Sequence, residues 1–402
     1  MPLTEALGAR LDALVAQIEP ELIQLRRHLH ANPELGWQEF KTQQHLHDWL
    51  EARGIGSRRC ASTGLLADIG PTEGPKVLYR GDIDALPIQE QPDAEKPYTS
   101  THDGVMHACG HDVHASVASG MAWVLHQLEA ELPTGVRIAL QPAEEVVPSG
   151  AEAMIRDGAA TGVVAGLALH VDPSRELGTV GVRRGALTSA TDAFEVRIKG
   201  QEGHSARPHL ARDAILAAAN VTQALYTLVT QRVNPVVPAV LNVGGIRGGV
   251  AKNVIAGDCF LDGVVRTLDP DARERLHQEM RKVVEHVAIA HGCQGTIVIT
   301  TGAPPVMNDP RLNDIVTKSA HEVLGPDNVH PIDVPSTGAE DFGMFGIHMP
   351  TYMMRLGVRA PGDQTHHLHT PAFDIDERAI GLALRVMSRA MFRTMHEAKT
   401  WG

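Results

Sequence analysis

Apolar residues along this chain follow distinct rhythms, and each rhythm marks a region. Leu7, Leu11, Leu14 and Ile18 recur at helical spacing, so residues 4–18 are expected to form a helix. A second helix is expected after Pro20, stopped by Asn32-Pro33, and a third from Thr42 to near Gly54 with Leu46, Trp49 and Leu50 on one face. Short continuous apolar runs follow at 64–69, 76–80, 136–140 and 166–169, and they read as buried strands. Between the second and third of these, Val117, Met121, Val124 and Leu128 mark a helix over 113–132, and another is expected at 150–157.

Around residue 187 the rhythm changes. Phe194, Val196 and Ile198 alternate with polar residues, as in an antiparallel strand with one wet face. An alanine-rich amphipathic helix (213–233), strands near 239–246 and 259–267, a helix opened by Asp269-Pro270 and a strand at 296–300 complete the order β-α-β-β-α-β, the ferredoxin-like pattern. The first texture then returns, with a helix at 312–324, an acidic loop at 336–342, a strand at 351–356, a histidine-bearing loop at 361–371 and a terminal helix at 376–398. The expected fold class is α/β in two domains. Residues 1–186 and 302–402 form a mixed α/β domain, and a ferredoxin-like domain, 187–301, is inserted into it. A length of 402 residues suits two cores better than one.

Composition narrows the partners. With 36 basic and 48 acidic residues the formal charge is -12. Nucleic acid or an anionic membrane would require a basic patch, so neither is expected as a partner. No run of eighteen apolar residues marks a membrane span, and Met1 to Ala6 lacks the basic-then-apolar layout of a signal peptide. Cys60, Cys109, Cys259 and Cys293 are widely spaced, which points to free thiols and a cytoplasmic location.

The candidate chemistry gathers where these elements end. His107-Ala108-Cys109-Gly110-His111-Asp112-Val113-His114 is the densest cluster of metal-binding groups, and it opens a helix whose dipole is expected to favour a thiolate. Asp82 and Asp84 follow one strand, Glu144 and Glu145 another, and His170 a third. Strand ends are where open α/β sheets place their chemistry. Asp84, Cys109, His111, Glu144, Glu145, His170 and a histidine near 369 are too many ligands for one closed tetrahedral site. Spread over five segments, they suit a two-metal centre with one bridging ligand, holding zinc, manganese, cobalt or nickel. Of the Glu144-Glu145 pair, one would ligate and the other would act as general base in hydrolysis of an amide or related bond. Thiol catalysis by Cys109 fits less well, since it needs a base and an orienting group rather than four acids; a closed zinc site would need CxxC pairs, which are absent. The helical residues His28, His30, His45 and His47 read as surface or packing residues.

Six motifs occur in order: Arg27-His28-Leu29-His30 with Pro33-Glu34-Leu35, Asp82-Ile83-Asp84-Ala85-Leu86-Pro87, His107 to Asp112, Gln141-Pro142-Ala143-Glu144-Glu145, Gly203 to His209, and Glu340-Asp341-Phe342. Together they resemble the aminoacylase/carboxypeptidase metallopeptidase family, in the amidohydrolase branch containing hippurate hydrolases and indole-acetyl-amino-acid hydrolases. The resemblance implies two divalent ions per subunit, bridged by Cys109, with His111, Glu145, His170 and His369 as terminal ligands. It implies Glu144 as catalytic base and Asp84 as the acid that orients a metal-bound histidine. The inserted domain would dimerise, giving a homodimer or dimer of dimers, with His204 reaching the partner's site to stabilise the oxyanion. Asn253 and Arg266 would help hold a substrate carboxylate. The implied reaction is hydrolysis of N-acyl amino acids to a carboxylic acid and a free amino acid. A dipeptidase or ureido-group hydrolase on the same scaffold, and an inactive acyl-amino-acid binding protein, are the alternatives. Ala256 stands where the family has proline after Asn-Val-Ile, and Val146-Val147-Pro148-Ser149 replaces a glycine run beside Glu145. Extra histidines leave His366 and His367 as alternatives to His369.

Overall fold

The computed structural model describes residues 3–92 and 98–401. The chain divides into two compact units, one of Met1–Leu187, Val306–Val334 and Asp341–Gly402, the other of Thr188–Pro305 and Pro335–Glu340.

The first unit is built on a ten-stranded mixed sheet. Its centre is four parallel strands in the spatial order Gly135–Gln141, Lys76–Asp82, Val163–Glu176 and Thr351–Arg359. Three of them are continuous apolar runs of the sequence, and the fourth such run, Gly64–Ile69, pairs antiparallel beside Gly135–Gln141. Such runs belong in a sheet covered on both faces, and alternate residues do face opposite layers. Leu65, Val77, Tyr79, Val136, Ile138 and Leu167 pack against the helices Glu5–Ala31, His111–Gln127 and Arg378–Ala398. Leu66, Leu78, Ala139, Ala168 and Met353 pack on the other side with Met154, Phe342 and Phe345. The chain leaves strand Lys76–Asp82 toward one neighbour and returns on its other side, so its carboxyl end is a point of reversal, where open α/β sheets bind ligands.

Two local expectations are corrected. The first two helices are one, Glu5–Ala31, with Pro20 inside it. Proline in a helix interior costs about 3 kcal/mol. Here Leu11, Val15, Ile18, Leu22, Leu25 and Leu29 are buried along one stripe spanning the proline, and tertiary packing of an amphipathic face outweighs the local cost. The strand carrying His170 does not end there but continues to Glu176. Pro173 is accommodated at an irregularity opposite Gly357–Arg359, where a missing N–H breaks no regular ladder.

The second unit is a four-stranded antiparallel sheet in the order Ala239–Gly248, Asp258–Thr267, Ala190–Lys199, Gln294–Thr301. Helices Ala214–Arg232 and Pro270–Ala290 cover one face. Each is opened by an aspartate cap, Asp213 and Asp269. The element order and sheet order are ferredoxin-like. Buried Asp192 ties this unit together, accepting hydrogen bonds from Arg273, His277 and the Gly302 N–H. Burial alone would push its carboxyl up; the bonds from Arg273 and His277 outweigh that and hold it down, to about 2. The folded chain therefore binds this proton more weakly than the unfolded chain does. The contribution to stability is present above the ordinary carboxylate range and is lost as pH falls toward 2. Asp192→Asn is expected to lower the melting temperature at pH 7, and the gap from wild type should close in melts taken between pH 4 and pH 2. A gap independent of pH would remove the carboxylate from this role.

Candidate metal centre

Four segments of the first unit converge on one point. Cys109 and His111 flank Gly110, which sits at φ +82 as the N-cap of helix His111–Gln127. A Cβ there would lie 2.5 Å from Val171 Cγ2, so only glycine lets this turn rest on the His170 strand. Glu144 and Glu145 lie on the loop after strand Gly135–Gln141, entered through Ala143 at φ +52. The Ala143 N–H donates to Glu39 Oε1 at 2.8 Å. His369 is likewise left-handed, at φ +60, with its N–H on the Ala108 carbonyl at 2.8 Å. Left-handed non-glycine residues cost about 1–3 kcal/mol each and persist where the surroundings over-determine them.

The donors face inward. His170 Nδ1–H donates to the Val171 carbonyl at 2.7 Å, which leaves Nε2 toward Cys109 Sγ at 3.5 Å. His369 Nε2 lies 3.3 Å from Cys109 Sγ and 3.2 Å from Glu145 Oε1. His111 Nδ1–H donates to the Asp84 carbonyl (3.0 Å) and to Asp84 Oδ1 (3.1 Å), while Asp84 Oδ2 accepts the Glu145 N–H at 3.0 Å. Asp84 thus fixes the tautomer of one donor and the backbone of another. His111 Nε2 and Glu145 Oε1 are buried without a hydrogen-bond partner. Buried polar atoms are rarely left so, and two orphans aimed at one point fit a cation between them.

Among the described residues, five sets of donor atoms are close enough to hold an ion, and three of them surround the converging donors: Cys109, His111 and His170; Cys109, Glu145 and His369; His111, Glu144 and Glu145. Cys109, His111 and Glu145 are each shared between sets, and the sulfur, common to two, is placed where it could bridge two ions. The residues fit two divalent ions. Electrostatics without the ions agree. Burial pushes the Cys109 thiol well up, with Glu145 and Glu144 adding to it. Burial thus opposes ionisation of the Cys109 thiol, and a cation at the site would favour its thiolate. Burial drives His170 well down, keeping it a neutral donor. Against burial, Asp82 and Cys109 raise His111, and the nearby His369 and His111 lower Glu145.

Of the remaining expected residues, His366 and His367 are exposed, and the histidine brought to the cluster is His369. His204, Asn253 and Arg266 belong to the second unit. His204 is exposed and pairs with Val254 beside Asn253. Arg266 donates to Thr191 Oγ1 and to the Thr337 carbonyl. Sequence reading missed a buried charge network: Arg26 against Asp112 at 2.7 Å, with His30 between Asp112 (2.8 Å) and Glu90 (3.1 Å). His30 is a buried polar link rather than a surface histidine, whereas His28 stacks on His45 with ring centroids 3.7 Å apart. His107 is fully buried, its nitrogens have no hydrogen-bond partner, and burial pushes it down to about 3. It is a neutral neighbour of the cluster.

The family model for peptidase family M20/M25/M40 matches residues 78–393, most of the chain. The chain belongs to this family. Within it, the chain is 40% identical over 369 residues to an N-acetyl-L-cysteine deacetylase of Bacillus subtilis, covering 91% of this chain and 86% of the relative. It is 35% identical over 376 residues to an N-acetyldiaminopimelate deacetylase of Anoxybacillus flavithermus, covering 91% and 96%. Among solved structures it is similar to a dinuclear metal binding peptidase of Bacillus subtilis, at TM-score 0.81 and 32% identity over 95% of this chain and 99% of that one. M20/M25/M40 membership and the shared donor sets make the protein a metal-dependent amidohydrolase.

Proposed function

We propose that this protein hydrolyses the amide bond of N-acyl amino acids, with short N-acetyl substrates foremost. The observation that carries the reading is the division of labour between two consecutive carboxylates. Glu145 Oε1 faces His369 and His111, while Glu144 Oε1 accepts the Asp341 N–H at 3.4 Å and stays within reach of the cluster. Cys109, His111, His170, Glu145 and His369 would hold the two ions, with Cys109 shared between them and Asp84 orienting His111. When bound, the two ions (zinc, manganese, cobalt or nickel) supply Lewis-acid charge for a carbonyl oxygen and a water. Glu144 takes the proton of the attacking water and delivers it to the leaving nitrogen as the C–N bond breaks, giving a carboxylic acid and a free amino acid. His204 would stabilise the oxyanion, with Asn253 and Arg266 on the substrate carboxylate. The names of the two deacetylase relatives support the acetyl preference.

A second copy of the chain is the proposed partner. Ala239–Gly248 is a sheet edge with Val240 and Ile246 exposed, and Ile215, Leu216 and Tyr226 are exposed on helix Ala214–Arg232. Open apolar edges are surfaces proteins normally cover. Four free buried thiols favour the cytoplasm, and no helix among the described residues is long and apolar enough to cross a membrane. The test is a panel of N-acetyl, N-benzoyl, dipeptide and carbamoyl amino acids offered to metal-loaded protein. Fastest turnover is expected on N-acetyl amino acids. Preference for the dipeptide or carbamoyl arm would move the protein to a peptidase or ureido hydrolase, and binding without turnover on every arm would make it a receptor.

A further inference from the structure

Behind the donor cluster runs a chain of buried polar contacts that the reaction as described does not use. The N–H of Val171, next to His170, donates to His114 Nε2 at 3.0 Å. His114 Nδ1–H donates to Asp82 Oδ1 at 2.6 Å. Asp82 Oδ2 accepts from Arg80 at 2.5 Å, and Arg80 donates onward to Asp341 Oδ1 at 2.8 Å. Asp341 is further fixed by Gln141 at 2.8 Å and by the Ala151 N–H at 3.0 Å. Its own N–H reaches Glu144. Every side chain in the relay is nearly inaccessible: Asp82 0%, His114 1%, Arg80 1% and Asp341 3% exposed.

Three points argue that this relay positions the site. First, its ends meet the site at different groups, the backbone beside a proposed ligand and the carboxylate of the proposed base. Second, buried ion pairs are poor stabilisers compared with apolar packing of the same volume, so a structural role alone would not call for two carboxylates around one guanidinium. Third, the backbone is shaped to close it. A Cβ on Gly81 would lie 2.5 Å from the His114 carbonyl, so glycine there lets helix His111–Gln127 approach until His114 reaches Asp82. The two bonds of His114 also demand one tautomer, proton on Nδ1 and lone pair on Nε2.

We propose that Asp82, His114, Arg80 and Asp341 are positioning residues that hold the His170 strand and the Glu144 loop in one register. The inference rests on the ligand and base assignments proposed above. It is tested first on metal binding, which needs no substrate. His114→Met keeps the volume but loses both hydrogen bonds. His114→Gln can accept from Val171 and donate to Asp82. By competition against a chromogenic chelator, His114→Met is expected to bind Mn²⁺ or Zn²⁺ about 10–100-fold more weakly, the usual cost of losing a group behind a ligand. His114→Gln should lie within about threefold of wild type. The other end is read by kinetics: Asp341→Asn should keep wild-type metal affinity and lower kcat about tenfold or more, with KM little changed.

Wild-type metal affinity in a folded His114→Met protein, or equal weakening by Met and Gln, would overturn the proposal. Should His114→Met not fold, Asp82→Asn takes its place, with metal affinity again expected to fall and unchanged affinity counting against the relay. If wild type turns over no substrate on the panel, the amidohydrolase reading fails, while the chelator competition still decides the relay.

Discussion

Replacing Glu144 by alanine is expected to leave two divalent ions bound and to lower kcat by roughly 10²–10⁴-fold, the usual contribution of a positioned general base. The physical case is the direction the two carboxylates take. Glu145 has a buried oxygen 3.2 Å from His369 Nε2, where an ion in the proposed centre would take it as a ligand. Glu144 has its Oε1 on the Asp341 N–H at 3.4 Å. Removing Glu144 therefore removes a proton carrier but no orphaned donor. KM should move little, because a group acting only in the transition state changes kcat and kcat/KM together. Metal content by elemental analysis, measured beside turnover of an N-acetyl amino acid, checks both halves. Loss of an ion in Glu144→Ala would mean that the two glutamates have exchanged roles.

Cys109→Ala is expected to be the most damaging single change for metal content. The sulfur belongs to two of the donor sets, whereas His170 and His369 each belong to one. Deleting a terminal histidine should weaken one ion; deleting the bridge should weaken both, taking the protein from two ions per chain toward none and activity toward background. Because an ion bound only by the folded chain stabilises it by mass action, the metal-dependent rise in melting temperature should shrink in parallel. Elemental analysis after dialysis, together with melts with and without added Zn²⁺ or Mn²⁺, reads both effects. A Cys109→Ala protein that holds two ions at wild-type affinity would sink the bridging assignment. Chelation of wild type should reproduce the loss of activity, and added divalent ion should restore it.

The elements were largely legible because each rests on a local rule. Alternation at Phe194, Val196 and Ile198 reports a one-faced sheet, and continuous runs at 76–80 and 136–140 report a two-faced one. Those rules fail where distant packing overrides them. Pro20 looks like a break, yet the buried stripe from Leu11 to Leu29 carries the helix through it. Pro173 looks like a stop, yet the strand bulges past it. The donors too were legible, being residue types with little other reason to crowd at strand ends. Their supports were not. Arg26 and His30, one turn apart on helix Glu5–Ala31, are far in sequence from Asp112 and meet it only because that helix lies against helix His111–Gln127. Asp82 read as one of a pair of loop carboxylates, and nothing local says that it faces Arg80 and His114 while Asp84, two residues on, faces His111.

By itself, then, the sequence determined which residues could bind cations and in what order the elements come, because side-chain chemistry and hydrophobic period are properties of short stretches. Tertiary structure alone decided that His369 rather than His366 or His367 meets Cys109, and that Glu145 lies between His369 and His111. It also decided that the Cys109 thiol is buried, which opposes its ionisation. Those outcomes depend on distance and desolvation, which exist only once segments more than a hundred residues apart are packed against one another.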